Sequence, residues 1–580
     1  MSDQPSDAFA SARLDFAAWR RRIPADPGRE PHLHLVNALA LPAERLAALD
    51  ADAAAFGRVV HDELGPLVEH YRTRLPEHVP YDGHGNRIDE IRFDHAYHQA
   101  GAKVWAAGIL RAAGTDARSH ELATLFYLAS HEGEMGHMCA ATCTTGMIRV
   151  LRRHADADLR GRYVPRLASA DYTSAVRGAQ YLTEVQGGSD VGANACVARR
   201  TTDGGWELSG EKWFCSVIDA GAFLLLARPE GAGQGTGGLG CFVMPRLVNG
   251  RPNGFSIRRL KDKLGTTAMA SGEIDLAGAR AEVVGEPGDG FKIMVTAMLN
   301  TSRWLNAIGD VGILRRAVVE ATAYAATRPA FGQRIGDMPL VRRQLAELKA
   351  EWLAALHSTW HLTGLDEVVD IGAMGGPAAD AEDIAMHRVM VNANKLGCSL
   401  ATTDAVRRAI EVLGGNGTIE DFSVLPRLLR DAVVYEQWEG THNVLAAQVL
   451  RDLGRLGIWP TVLGRIGTML KGIADDDSAP TVDRALVGLQ DVADDVDACL
   501  ADPATGALHF RSTLEALLRA HQVALLLHAA EAPPTSATLA GEMRAAAAII
   551  TGRYLDPGYR PERDRAYAQV VEALIAADLT

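Results

Sequence analysis

Hydrophobic period changes twice along this chain, and those two changes constrain its fold more than any single motif. Through residue 172 apolar residues recur at helical spacing, Leu110, Leu122, Leu125 and Leu128 among them, with few β-branched runs. From 173 to 290 short aromatic and β-branched runs lie between Gly, Asp and Pro: WELSGEKWFCS, AFLLLARP, GCFVMPRL, FSIRRL and GEIDL. That texture predicts antiparallel strands in a small sheet or barrel. The helical period then returns. Ile308, Val311, Leu314 and Val318 share a face, as do Leu345, Leu348, Trp352 and Leu356. A third set is Val389, Ala393, Leu396 and Leu400, and a fourth is Val406, Ile410 and Leu413, which stops at Gly414-Gly415 as at a helix C-cap. More helical sequence follows residue 456, with the acidic linker ADDDSAP at 474–480. The predicted class is α+β, mainly α. It comprises a helical unit at 1–172, a β-unit at 173–290, a four-helix bundle at 291–455 and an additional helical region at 456–580. The segment Pro80–Arg92 reads as a turn-rich break between helices.

A chain of 580 residues exceeds what one core organises, so several units are expected. The net charge of -13 argues against a general affinity for nucleic acid or anionic membrane. Residues 461–580 carry 17 acidic against 10 basic side chains, so that region offers no basic surface either. Seven scattered cysteines without a second pair at zinc-site spacing predict thiols in a reducing compartment. The opening MSDQPSDAFASARLDF has no basic segment followed by an apolar run, and no stretch reaches about 18 apolar residues. Cytoplasm is the expected location.

Three motifs compete as decoys. Gly233, Gly235 and Gly238 satisfy G-x-G-x-x-G, but a strand-like GCFVMP follows where a dinucleotide fold needs a helix, so the segment predicts a hairpin loop. His131, Glu132, Glu134 and His137 in HEGEMGHM are spaced six apart between the histidines, not the four that serves a metal. They predict instead a helix lining an apolar pocket with Met138, Cys143 and Met147. A nucleophilic hydrolase lacks its G-x-S-x-G elbow.

Four other segments stand in a fixed order: YLTEVQGGSDVGANA (181–195), GEKWFCS (210–216), ATRPAFGQRI (326–335), and EVLGGNG (411–417) with LPRLLRDAVVYEQWEGTHN (425–443). Together they resemble the acyl-CoA dehydrogenase family over roughly residues 100–455. The extra C-terminal helices and YDGHGNRIDEIRF resemble its alkylation-response branch in particular. The resemblance implies FAD held between the β-unit and the bundle, and an acyl-CoA or acyl-carrier thioester beside the flavin. Glu439 then matches the base that removes the α proton, and burial beside Trp438 would raise its pKa. Gly440 matches a close approach to substrate, and Arg303 matches a supporting Arg near the reacting centre. Thr183 and Ser189 match flavin-loop hydroxyls, Ser189 also facing substrate. Trp213 matches the aromatic residue against the flavin, and either Cys215 or Ser216 supplies the next contact. Ser216 is favoured because a hydroxyl is the better hydrogen-bond partner. Arg328 matches an Arg reaching the FAD of a neighbouring subunit, which implies a homodimer or homotetramer. Gly414, Gly415 and Asn416 match the adenosine-side loop, and Thr441 a further cofactor contact. Pro339 and Glu411 depart from the family pattern there. An electron-transfer flavoprotein is the implied electron acceptor. The rival readings are an acyl-CoA oxidase using O2 and a DNA-associated alkylation-response flavoprotein with little turnover.

Overall fold

The computed structural model describes residues 16–133 and 135–580. The first 15 residues, and Glu134 of HEGEMGHM, lie outside the described residues. The principal helices of the first unit are α1 (Pro31–Ala38), α2 (Ala43–Val59), α3 (Gly65–Tyr71), α4 (His95–Ala106), α5 (Ser119–Ser130), α6 (Met135–His154) and α7 (Ala157–Leu167). The turn-rich break between helices expected at 80–92 takes the form of a hairpin. Strands β1 (Glu77–Tyr81) and β2 (Arg87–Arg92) pair antiparallel. Asp82 closes their turn by accepting the amides of His84 and Asn86. The β-branched Val79, Ile88 and Ile91 carry the strands, and buried Asp89 docks them: it pairs with His78 and accepts the Ile257 amide of the β-unit.

The strand texture becomes a seven-stranded sheet. It comprises β3 (Gly178–Tyr181), β4 (Val197–Arg200), β5 (Trp206–Ser216), β6 (Ala222–Pro229), β7 (Gly240–Pro245), β8 (Phe255–Leu260) and β9 (Ser271–Val284). The ladder β9–β5–β4–β6–β7 closes on itself because the long β9 pairs with β5 along most of its length and with β7 at its end. The expectation of purely antiparallel pairing is corrected at one place. Both β3 and β4 run parallel to β6, β3 along its start and β4 along its end. The chain between them, 182–196, is therefore thrown out of the ladder between Leu225 and Arg228. The glycine-rich 231–238 connects antiparallel β6 and β7, as a hairpin loop.

The bundle is built of α8 (Asn300–Thr327), α9 (Pro339–Ala373), α10 (Ala381–Leu413), α11 (Leu425–Gln437) and α12 (His442–Leu456). The third and fourth sequence sets belong to one helix, α10, whose C-cap Gly414 has φ 62°. Helices α8 and α10 run parallel, linked in register by Arg303–Asn392, Asp310–Ser399 and Tyr324–Asn416 hydrogen bonds. Helix α9 lies antiparallel to both, with Trp304 bonded to Thr363 and Gln344 to the Arg408 carbonyl.

Helices α13 (Trp459–Lys471), α15 (Phe510–Glu531), α16 (Ala537–Tyr554) and α17 (Tyr567–Leu579) pack on α9 and α10, and α14 (Ala479–Ala501) packs on α13, α15 and α16. Their seam is polar at its centre: buried Arg519 donates to Glu351 at 2.7 Å, and the Tyr554 hydroxyl donates to the same carboxylate at 2.7 Å. All seven cysteines are buried and free. Among the described residues, no helix is long and apolar enough to cross a membrane.

Candidate active site

Helix α11 ends at Gln437 and α12 begins at His442, so Glu439 sits in the short turn between two bundle helices. The turn is unusual: Glu439 has φ 57° and Gly440 φ 104°. A left-handed conformation costs a non-glycine residue roughly 1–2 kcal/mol, and at 440 it selects glycine. Two buried cations hold the turn. Arg303 Nε donates to the Glu439 carbonyl at 3.0 Å, and Lys395 Nζ donates to the carbonyls of Glu436 at 2.9 Å and Gly440 at 3.1 Å. Hydrogen bonds from charged donors contribute about 1.5–3 kcal/mol each, enough to offset the strain.

This turn aims the Glu439 carboxylate at the β-unit. Gln180 of β3 donates to Oε1 at 2.7 Å. The second oxygen, Oε2, is buried without a protein partner, as is the Gln180 Oε1 atom. Burial pushes the Glu439 pKa up to about 7, while Arg303, Lys395 and the Gln180 hydrogen bond pull it down. Burial also lowers Arg303 to about 10 and Lys395 to about 8. The result is a carboxylate near half-ionised at neutral pH, with one enclosed oxygen free to take a proton.

The facing wall comes from the interrupted sheet. Buried Glu184 ties the base of the 182–196 loop by accepting the Ala195 amide at 2.6 Å and pairing with buried Lys212 at 2.7 Å. The Thr183 carbonyl accepts the Trp213 amide at 2.9 Å, which brings this loop onto β5. A Cβ at Gly188 would lie 2.5 Å from Thr183 Oγ1, so a side chain there would displace that hydroxyl from its present position. Ser189 is exposed on the same loop. Register slips in β5 at Trp213 and Phe214, both of which face Glu273. The slip sends Cys215 into the core and leaves Ser216 half-buried on the face that Trp213 shares, 3.3 Å from Ser271. Between the two alternatives open in the sequence, position and chemistry favour Ser216. Lys261 Nζ lies 3.7 Å from the Trp213 ring centroid.

Arg303, expected as a supporting Arg near the reacting centre, engages the Glu439 carbonyl, Asn392 and Gln448 through its Nε and Nη1, and so holds the turn. Thr441 is the N-cap residue of α12, yet its side chain makes no cap bond and stays exposed. Arg328 and Gly414–Asn416 are not part of this gathering. Arg328 follows Arg303 by 25 residues along α8, roughly 37 Å at the helical rise. Asn416, bonded to the Tyr324 hydroxyl at 3.0 Å, lies at that same far end.

HEGEMGHM is not one helix: residues 131–133 form a turn and α6 starts at Met135. Glu132 pairs with Arg316, and His137 bonds the Tyr97 carbonyl at 2.9 Å. Among the described residues no group of acidic, His and Cys side chains could hold a metal. Further along α6, Met147 lies against Gly178 of β3, two residues before Gln180. Gln180 and Lys395 were not legible as site residues. The available signal was a lysine and two asparagines, NANK, on the otherwise apolar buried side of α10.

A closed barrel set between two helical units, with an enclosed carboxylate where barrel and bundle meet, defines the acyl-CoA dehydrogenase fold. The acyl-CoA dehydrogenase C-terminal domain matches residues 288–454, the middle domain of the same family 179–278, and the adaptive response protein AidB N-terminal domain 30–174. The putative acyl-CoA dehydrogenase AidB of Escherichia coli is 33% identical over 408 residues, 68% of this chain and 71% of that protein. The crystal structure of Caenorhabditis elegans ACDH-11 in complex with C11-CoA superposes with a TM-score of 0.84 at 26% identity, covering 95% of this chain and 94% of that one. A Bacillus anthracis acyl-CoA dehydrogenase complexed with FAD shares the fold, with a TM-score of 0.71 at 18% identity over 93% of this chain and 88% of that one. The chain belongs to the acyl-CoA dehydrogenase family, with an AidB-type N-terminal domain.

Proposed function

We propose that this protein catalyses FAD-dependent α,β-dehydrogenation of an acyl-CoA thioester, with Glu439 as the base. The observation that carries this reading is the enclosed Glu439 carboxylate, fixed at Oε1 by Gln180 and unpartnered at Oε2. The residues present fit the cofactor. Gly188 leaves room beside the Thr183 hydroxyl, Thr441 caps nothing, and the buried Gln180 Oε1 has no protein partner. Thr183, Ser189, Trp213, Ser216 and Thr441 would hold the flavin end within one chain. Arg328, Gly414, Gly415 and Asn416 would hold the dinucleotide of a second copy, which makes the active form at least a homodimer. Bound FAD supplies the acceptor for the β-hydride.

The chain's own part is proton chemistry. Ionised Glu439 takes the α proton at Oε2 while Gln180 keeps the carboxyl group from rotating. Arg303 and Lys395 hold the turn's backbone and favour the ionised base. Gly440 admits the thioester close to the turn, and exclusion of water keeps the base matched to a weak carbon acid. An electron-transfer flavoprotein is the electron acceptor this reading implies. The 461–580 region carries 17 acidic against 10 basic side chains, a net charge that speaks against the DNA-associated alternative.

Anaerobic titration of the yellow protein with acyl-CoAs of graded chain length tests the reading. Bleaching by one of them, with colour restored by an electron-transfer flavoprotein but not by air, is the expected result. Colour restored by air with formation of peroxide would assign an oxidase instead. Bleaching by none would overturn the assignment.

A further inference from the structure

Residues 16–29 precede the first stretch matched by any of the family domains, which begins at residue 30. They are nonetheless fastened to the far end of the bundle. Trp19 is 2% exposed. Its ring stacks on Phe422 at 5.7 Å and 26°, and meets Tyr324 edge-on at 5.9 Å. Arg20 donates to the Phe422 carbonyl at 2.6 Å and the Asp421 carbonyl at 3.3 Å, and its guanidinium lies 5.8 Å from the Phe422 ring. Phe16 touches Phe422 at 5.4 Å, and the Arg328 guanidinium sits 5.2 Å from the Phe16 ring.

These contacts join two elements that are distant in sequence: the end of α8, with Tyr324 and Arg328, and the segment 414–422 that follows α10. That segment opens Gly-Gly-Asn-Gly, a backbone with little stiffness of its own, so packing from outside must set its position. Asn416 is tied to the Tyr324 hydroxyl and Phe422 meets the Tyr324 ring edge-on at 6.3 Å, while Phe16, Trp19 and Arg20 close on Phe422 from the N-terminal segment. We propose that Phe16–Arg22 is a brace that sets the spacing between Arg328 and Gly414–Asn416, and with it the affinity for the adenylate half of FAD. This rests on the cofactor reading given above. Trp19 and Arg20 act as positioning residues, through Phe422, and touch no cofactor atom themselves.

The test uses the full-length chain freed of flavin and titrated with FAD and with FMN, which lacks the adenylate. Arg20→Ala removes a surface side chain and leaves the aromatic packing in place, whereas Trp19→Ala opens the buried contact. Arg20→Ala is expected to weaken FAD binding about tenfold, with FMN binding unchanged. Trp19→Ala should weaken FAD further in the same selective way, and Arg20→Lys should recover part of the loss. FAD affinity unchanged in both alanine variants would overturn the brace, and so would equal losses of FAD and FMN. A wild-type chain that binds neither flavin would remove the cofactor reading itself, a different failure from one confined to the variants.

Discussion

Helix α8 carries two arginines with opposite circumstances. Arg303 is 3% exposed, and its Nε and Nη1 are engaged within its own chain, on the Glu439 turn and on Asn392 and Gln448. Arg328 is half-buried at the other end, where the only aromatic against it is Phe16 of the brace among the contacts described. One end of the helix is finished by intramolecular packing and builds a pKa-shifted carboxylate. The other presents a cation, the glycine-rich 3-10 turn at Gly414–Thr418 and the 96% exposed Phe331 on an adjacent hairpin. The difference teaches that the chemistry and the cofactor's far half are separable in this protein. A single helix places them roughly 37 Å apart, and in the proposed assembly it is a second copy that brings both to one cofactor.

The strongest way to break the comparison is at the finished end. Arg303→Ala strands three acceptors, one buried and two part-buried, and should cost about 3 kcal/mol of stability, with loss of turnover. Urea unfolding of the holoprotein measures it. A stable variant with normal turnover would show that the turn does not depend on its pin. Lys395→Met comes next. Removing this charge should lower kcat roughly 10–100-fold and move the acidic limb of the pH profile upward, because Lys395 holds the Glu439 pKa down. An unmoved limb would mean that the lysine acts only as packing.

Arg328→Ala should behave differently: thermal stability within about 0.5 kcal/mol of wild type, with FAD retention weakened about tenfold. Mixed assemblies of Arg328→Ala and Glu439→Gln chains sharpen the point. A mixed dimer holds one site with an intact base and an intact neighbouring arginine, so activity should return on mixing. No recovery, with mixed dimers verified, would place both residues at the same site.

The smallest effect is in pH. Only the ionised form of Glu439 can accept a proton, so kcat/KM should rise as pH increases through about 7 and level off above it. FAD affinity should stay flat over the same range, because the proposed contacts at that end, Arg328 and Gly414–Asn416, include no carboxylate and no histidine. A parallel rise in FAD affinity would tie the two ends together.

Much of this was legible in the sequence, for identifiable reasons. The bundle helices announce themselves because a long buried helix needs apolar residues on several faces, as Leu345, Leu348, Trp352 and Leu356 supply. Glu439 was legible because it sits in a fixed string, WEGT, and its φ of 57° explains why glycine follows it. Arg303 was found, but not its direction: a side chain's orientation depends on which acceptors the neighbouring helices present, and Asn392 and Gln448 are far off in sequence. Gln180 was missed because a glutamine in a four-residue strand carries no signal until β3 is seen to face the Glu439 turn. The parallel pairing of β3 and β4 with β6 was missed because alternation along a strand reports its faces and not its neighbours. The 80–92 hairpin was missed because its turn residues outnumber its β-branched ones, while its docking depends on the single buried Asp89.

The most direct test is rapid anaerobic mixing of wild type and Glu439→Gln, both loaded with FAD, with an acyl-CoA that bleaches the wild type. The amide keeps the size and the Gln180 contact but cannot take a proton. Bleaching in the variant should be slower by about 10³-fold or more, with acyl-CoA affinity and flavin content preserved. Bleaching at the wild-type rate would contradict the role of this carboxylate.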